Sequence, residues 1–402
     1  MNFKQLSVIA ISLILCIQGQ AFAKKKKPTT TEGFKFTSVS DIPTTGVRNQ
    51  ESTGTCWTFA TTSFIETELI RLGAGNIDLS EMFTVRHAYT QKALKYFRLH
   101  GKGNFSEGGQ AHDVLNVVKE FGFVPETAYS GNQYGSEFNI HQEMVKSTKA
   151  MLDEIIKNPN RTITPVWQKS VNGVFDTYMG ATPEKFDNNG QTITPVEYMK
   201  ETGFNPNDYI ELTSYSHHPY YKEMDLEIPD NWSHDLYYNL PIDELMAVID
   251  NALTNDYSVC WDGDVSEKGF SHRNGVAILP AVDTKDMTNS EIEKWDAMSA
   301  KEKKASLYKF DKPRAEKKVD QTLRQATFDN YKTTDDHLMH LTGIVKDQNG
   351  TRYYKTKNSW AKNSNKMGGY LNMSEAYVRL KTVAIMVHKD AIPAELKAKL
   401  GL

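Results

Sequence analysis

The stretch Gln50-Glu51-Ser52-Thr53-Gly54-Thr55-Cys56-Trp57 runs directly into a helical pattern. From Trp57 onward, Ala60, Phe64, Ile65, Leu69 and Leu72 recur at three- and four-residue steps, and Gly73 supplies a stop signal. Cys56 therefore opens a helix. Unpaired N–H groups and the positive end of the helix dipole favour an anion there, so the position predicts a thiol that ionises more readily than a free cysteine. A lone cysteine is by default a small buried hydrophobe. Its surroundings argue for a nucleophile: Gln50, upstream on the same stretch, offers a side-chain amide that can donate to an oxyanion beside the sulfur, together with the Cys56 N–H. Gly54 lets the chain turn tightly into the helix.

The 402 residues are enough for two or three lobes around a large core. A net charge of −3 lacks the basic excess that nucleic-acid binding requires. Residues 1–23 have a positive start at Lys4, an apolar run from Leu6 to Ile17 too short to span a bilayer, and the small-x-small triplet Ala21-Phe22-Ala23. This predicts a secretory signal cleaved after Ala23 and an exported, periplasmic or secreted protein without stable membrane insertion. Lipid anchorage at Cys16 is the alternative, and the bulky Leu15 before it counts against it. Removal of the signal leaves Cys56 and Cys260, either a disulfide pair or two free thiols; a nucleophilic Cys56 requires the latter.

Residues 24–46 read as a leader lying over the surface. Residues 47–130 read as a helical lobe. Its second helix passes through Phe83, Val85, Ala88, Tyr89 and Ala93 behind a Ser80 cap, and its third follows Gly108-Gly109 and closes at Gly122. The paired glycines are either a plain loop or exposed backbone to which an extended peptide can bond. Residues 131–243 read as a helical insertion, in which His217-His218 are surface histidines with no carboxylate at ligand spacing and no metal is expected. In the remaining lobe, residues 244–393, a helix over 242–253 precedes a strand over 257–261 containing a packed Cys260, and the charge-dense 283–318 is a solvated helical excursion.

Strand 337–345, an Asn349-Gly350 turn and strand 351–358 make a hairpin that places His337 close to opposite Asn358. Thiol, imidazole and carboxamide together make a Cys-His-Asn acyl-transfer set. His340 competes with His337, but an odd separation along a strand puts it on the other face, and only one face can meet Cys56.

These residues resemble the papain-like cysteine peptidases: Gln50, Gly54-Thr55-Cys56-Trp57, Leu79-Ser80-Glu81, Gly108-Gly109, His337 and Asn358-Ser359-Trp360. The match is closer to the bleomycin hydrolase and aminopeptidase C branch, with Thr53 in place of the cysteine that precedes the nucleophile in papain-type enzymes. It extends to 179–186, 193–198 and 387–393. The resemblance implies an α+β, two-lobed fold, helical lobe against antiparallel β lobe, with the cleft between them. It implies roles for Cys56 as nucleophile, His337 as general acid and base, Asn358 as orienting residue and Gln50 as oxyanion donor. It also implies Gly108 and Gly109 as the strip that holds the substrate main chain and Trp360 as the indole shielding the His-Asn bond, with peptide as substrate and no cofactor.

An aminopeptidase is the leading expectation. In that branch a C-terminal arm enters the cleft and its carboxylate anchors the substrate amine, whereas residues 394–402 form only a short tail here. Endopeptidase action in an open cleft, or an inactive peptide-binding scaffold, are the alternatives. A homo-oligomer is the branch precedent.

Overall fold

The computed structural model describes residues 33–158, 162–282 and 289–402, so the expected signal, Cys16 and the first part of the leader lie outside the described residues. The chain enters as β1 (Thr37–Asp41) and forms three helices, α1 (Cys56–Arg71), α2 (Glu81–Arg98) and α3 (Ala111–Phe121). Ser80 caps α2 by accepting the Phe83 N–H, and Asp113 accepts the Gln110 N–H where α3 begins. The sequence makes α1 a one-sided stripe. Instead, every residue from Cys56 to Leu69 is buried, because the helix is clasped between the other helices and the sheet, while Leu72 is exposed.

Next come α4 (Gln142–Ile156), α5 (Trp167–Met179), the hairpin β2 (Phe186–Asn188) and β3 (Gln191–Ile193), and α6 (Pro195–Glu201). Met144, Leu152, Phe175 and Met199 share one apolar cluster with Phe64, Phe83 and Val117, so these elements enlarge the helical lobe's own core. The strands β4 (Tyr209–Thr213), β5 (Glu223–Asp225) and β6 (Leu236–Asn239) follow, which corrects the helical reading of the second half of 131–243. They are too short to show a period, and their pairing with residues far along the chain is what makes them strands.

The β lobe continues with α7 (Ile242–Thr254), β7 (Val259–Gly263), β8 (Phe270–Ser271), β9 (Val276–Ala277), α8 (Asn289–Ala297), α9 (Ala300–Leu307) and α10 (Gln321–Asp329). It ends with β10 (His337–Lys346), β11 (Arg352–Lys357), β12 (Tyr370–Ser374), α11 (Glu375–Lys381), β13 (Thr382–His388) and α12 (Ala394–Leu400). The sheet runs β5-β6-β4-β13-β7-β10-β11-β12-β9-β8. On its other edge β10 pairs first with β7, through His337 to Leu341, and then with β1, through Gly343 to Lys346. The leader is thus partly a sheet strand, held by Phe34 and Phe36 against Tyr353. A second core of Leu245, Ile249, Trp261, Met339, Leu341 and Ile385 lies behind the sheet. No helix among the described residues is long and apolar enough to cross a membrane.

The hairpin register differs from the expected one. Asp347 Oδ1 accepts the N–H groups of Asn349 and Thr351, which widens the turn, so that Lys346 faces Arg352; a bulge between Leu341 and Gly343 then sets His340 against Lys357. Asn358 therefore sits just past the end of β11 and meets His337 by side-chain reach, with no ladder pairing between them.

Candidate active site

Cys56, at the N-terminus of α1, and His337, the first residue of β10, line one cleft of about 700 Å³ between the lobes, together with Gln50, Gly108 and Gly109. The Cys56 sulfur lies against the backbone N–H of Leu338, the residue after His337. Two of the residues expected to meet, Cys56 and His337, thus face one cleft.

The histidine's tautomer follows from its partners. Asn358 Oδ1 accepts from the backbone N–H of Ser359 at 2.7 Å, which fixes the orientation of the carboxamide. The same oxygen lies 2.8 Å from His337 Nε2, so Nε2 carries the proton and Nδ1 keeps its lone pair. On the other side Asn358 Nδ2 donates to His272 Nδ1 at 3.3 Å, and His272 Nε2 donates to Ser364 Oγ at 2.7 Å. Ser364 Oγ in turn donates to the Ala361 carbonyl. His272 was missed in the sequence: a single histidine in a loop carries no periodic or spacing signal. Trp360 covers this chain, its ring centroid 4.9 Å from both His337 and His272.

The expectation of an easily ionised thiol fails in the empty cleft. Burial pushes the Cys56 thiol up to about 12, the Leu338 N–H opposes this, and Asp335, Asp262 and Asp230 push the same way as burial. Burial likewise lowers His337 to about 4 against the support of Asn358. Both shifts favour the uncharged forms, thiol and neutral imidazole, in the empty cleft.

Gln50 Nε2 donates to the Thr53 carbonyl at 2.9 Å and its Oε1 accepts from Ser359 Oγ at 2.6 Å, which holds the amide rigid with one N–H remaining toward the cleft. Gly54 serves close approach, correcting the turn argument: a Cβ there would stand 2.9 Å from Glu107 Cβ, and its N–H donates to Glu107 Oε2 at 2.6 Å. Gly109 makes room for the Trp57 indole, and Gly108 makes room for the Asp230 carboxylate, whose Oδ2 would lie 1.9 Å from a Cβ.

His340 is excluded for a different reason from the one given above. It lies on the sheet face that packs against α1, with Nδ1 2.9 Å from Ser63 Oγ. Ser63 is two turns down the helix, about 10 Å from Cys56 at 1.5 Å per residue. His337 stands at the cleft end of β10 and lines the cleft together with Cys56. Cys260 is a packed strand residue, and both described cysteines are free. At the surface, Glu227 bonds both His217 and His218, at 3.0 and 2.9 Å, so the fold supplies the carboxylate that sequence spacing lacked.

A helical lobe with a thiol at a helix N-terminus, set against a sheet that carries histidine and asparagine, is the architecture of a papain-like thiol peptidase. The sequence matches the peptidase C1-like family over residues 17–307 and 304–401; the chain belongs to that family, in its bleomycin hydrolase and aminopeptidase C branch, and is a cysteine peptidase. It is similar to Aminopeptidase W of Lactobacillus delbrueckii subsp. lactis (21% identical, covering 92% of this chain and 86% of the relative). It is similar also to Aminopeptidase E of Lactobacillus helveticus (23%; 89% and 84%) and to the mitochondrial Cysteine proteinase 1 of Saccharomyces cerevisiae (22%; 90% and 79%). The crystal structure of PepW from Lactobacillus rhamnosis shares the fold, with a TM-score of 0.67 at 18% identity over 91% of this chain and 84% of that one.

Proposed function

We propose that the chain is an aminopeptidase that removes N-terminal residues from peptides through Cys56, His337, Asn358 and Gln50. The observation that carries the reading is the fixed tautomer: His337 Nε2–H is committed to Asn358 Oδ1, which leaves Nδ1 as the proton acceptor in the cleft that Cys56 lines. Sγ attacks the scissile carbonyl carbon as its proton passes to Nδ1. The oxyanion takes hydrogen bonds from the Gln50 amide and the Cys56 N–H. Collapse breaks the C–N bond, the leaving amine takes the Nδ1 proton, and water hydrolyses the thioester with His337 again as base. Trp360 keeps solvent off the His-Asn bond, and Gly108 and Gly109 hold the substrate main chain.

The names of relatives W and E support aminopeptidase action. α12 packs through Leu396 and Leu400 on the β-lobe core, and the cleft-lining residues do not include any of 394–402. The test is hydrolysis of leucyl-aminomethylcoumarin beside its N-acetyl analogue. Turnover of the free-amine reporter, abolished by Cys56→Ala and by His337→Ala, is expected; equal turnover of both reporters defeats the exopeptidase claim.

A further inference from the structure

The charges that bear most strongly on the Cys56 sulfur are Asp335, Asp262 and Asp230, all acidic and contributed by three separate segments of chain. Asp335 and Asp230 line the cleft. Asp230 is a built feature: Asn104 Nδ2 and Ser106 Oγ both donate to its Oδ1, at 2.8 and 3.3 Å, while Oδ2 lies over the bare Cα of Gly108. Gln110 Nε2 donates to Asp335 Oδ2 at 2.9 Å.

Behind them, Asp262 pairs with Leu338 across β7 and β10, so its side chain leaves the sheet on the same face as Leu338, toward the cleft. It is 3% exposed, and neither carboxylate oxygen receives an N–H or hydroxyl donor. Its polar neighbour is the Asp335 carboxyl. Burial first, and then the Asp335 charge, push Asp262 up; burial and the Asp230 charge push Asp335 up to about 7, against a bond to Asp262 that pulls it down, so the pair favours holding a proton in the empty cleft. The nearby cation Lys92 is committed to the carbonyls of Ser106 and Gly108. Glu107 and Asp336 add further acid to the lining, and Lys146 and Lys149 stand among the lining residues, Lys149 being paired with Asp153. A buried acid whose polar neighbour is another acid, at the back of an acidic cleft floor beside the nucleophile, points to a cationic group on the substrate.

In a substrate cut after its first residue, that cation is close at hand. The α-amine nitrogen lies about 2.5 Å from the scissile carbonyl carbon, given bonds of 1.46 and 1.52 Å and an angle near 111°. We propose that Asp335 and Asp230, with Asp262 behind them, bind the protonated α-amine of the peptide's first residue, and that position 108 is glycine so that the Asp230 carboxylate can stand there. The assignment rests on the aminopeptidase reading. It also gives the amine a second effect: an ammonium among these carboxylates offsets the negative field that holds the proton on Cys56, so the thiolate is favoured when the correct substrate is present.

The experiment compares the full-length protein with Asp335→Asn, Asp230→Asn and Gly108→Ala, using leucyl-, N-acetyl-leucyl- and N-acetyl-lysyl-leucyl-aminomethylcoumarin. Melting temperature and iodoacetamide stoichiometry at Cys56 verify that each variant is folded. The expected result is a free-over-blocked ratio of kcat/KM that falls about 10- to 100-fold in each aspartate variant, the size of a lost charge-assisted bond. Gly108→Ala, which displaces Asp230, should reproduce the Asp230→Asn value. A wild-type preference for the free amine that the variants leave unchanged, or equal losses on free and blocked reporters, overturns the amine site while aminopeptidase action stands. Wild-type indifference to the blocking group defeats the aminopeptidase reading itself. A preference for the lysyl reporter that Asp335→Asn abolishes reassigns the carboxylates to a basic side chain and likewise overturns the proposal.

Discussion

At the scale of single residues, the state of the sulfur is set by burial against local donors. A helix N-terminus supplies partial positive charge, but Cys56 is enclosed and faces three carboxylates, and desolvation dominates. Iodoacetamide should modify Cys56 ahead of Cys260, because Cys56 opens on the cleft while Cys260 is 1% exposed and bonded to Thr61. With Cys56 pushed up to about 12, the rate of that modification should keep climbing from pH 7 to pH 10. A plateau from pH 5 upward would show that the thiolate already exists at rest. His272 acts through Asn358, as a positioning residue. His272→Ala should lower kcat about tenfold with KM little changed, and His272→Gln, which can still accept from Asn358 Nδ2, should restore part of it; a change in KM alone would count against the chain of bonds described.

Elements are joined here by polar contacts that no local pattern announces. His112 on α3 bonds Glu211 on β4 through Nδ1 at 2.6 Å and Ser233 through Nε2 at 3.0 Å. Burial lowers its affinity for a proton, but Glu211, Asp113 and Asp235 outweigh burial and push it up to about 9. A histidine raised in this way stabilises the fold fully below its unfolded value of about 6.5, and that contribution is lost as pH rises through about 9. The difference in melting temperature between the wild type and His112→Gln should therefore be widest at pH 6 and shrink by pH 9.5. A constant difference would mean that His112 is neutral in the folded state. Sequence periodicity found α1, α2, α3 and α7 because each is long and apolar at helical spacing. It missed β1, β4, β5 and β6, whose strand character comes from partners far along the chain.

Across the whole molecule, two cores flank α1 and the sheet, and the cleft opens where their edges meet. The C-terminal helix belongs to the β-lobe core through Leu396 at 2% exposure. Leu396→Ala should cost about 2–4 kcal/mol in urea unfolding, the usual range for a buried leucine, and leave the kcat of the folded fraction unchanged. A selective loss of activity without loss of stability would place the tail in catalysis.

What the sequence determined by itself was chemistry with a strong local signature: a thiol at a helix start, the glutamine before it, the histidine and asparagine of a hairpin, and the two-lobed fold that such motifs imply. The tertiary structure alone decided which side chains surround the sulfur. Asp230, Asp262 and Asp335 are ordinary acids along the chain, and become an acidic floor only when a loop, strand β7 and the segment leading into β10 bring them together. The hairpin register, the tautomer of His337 and the direction in which Cys56 is shifted come from the tertiary structure as well. Each depends on desolvation and on partners distant in sequence, and neither leaves a mark in local spacing.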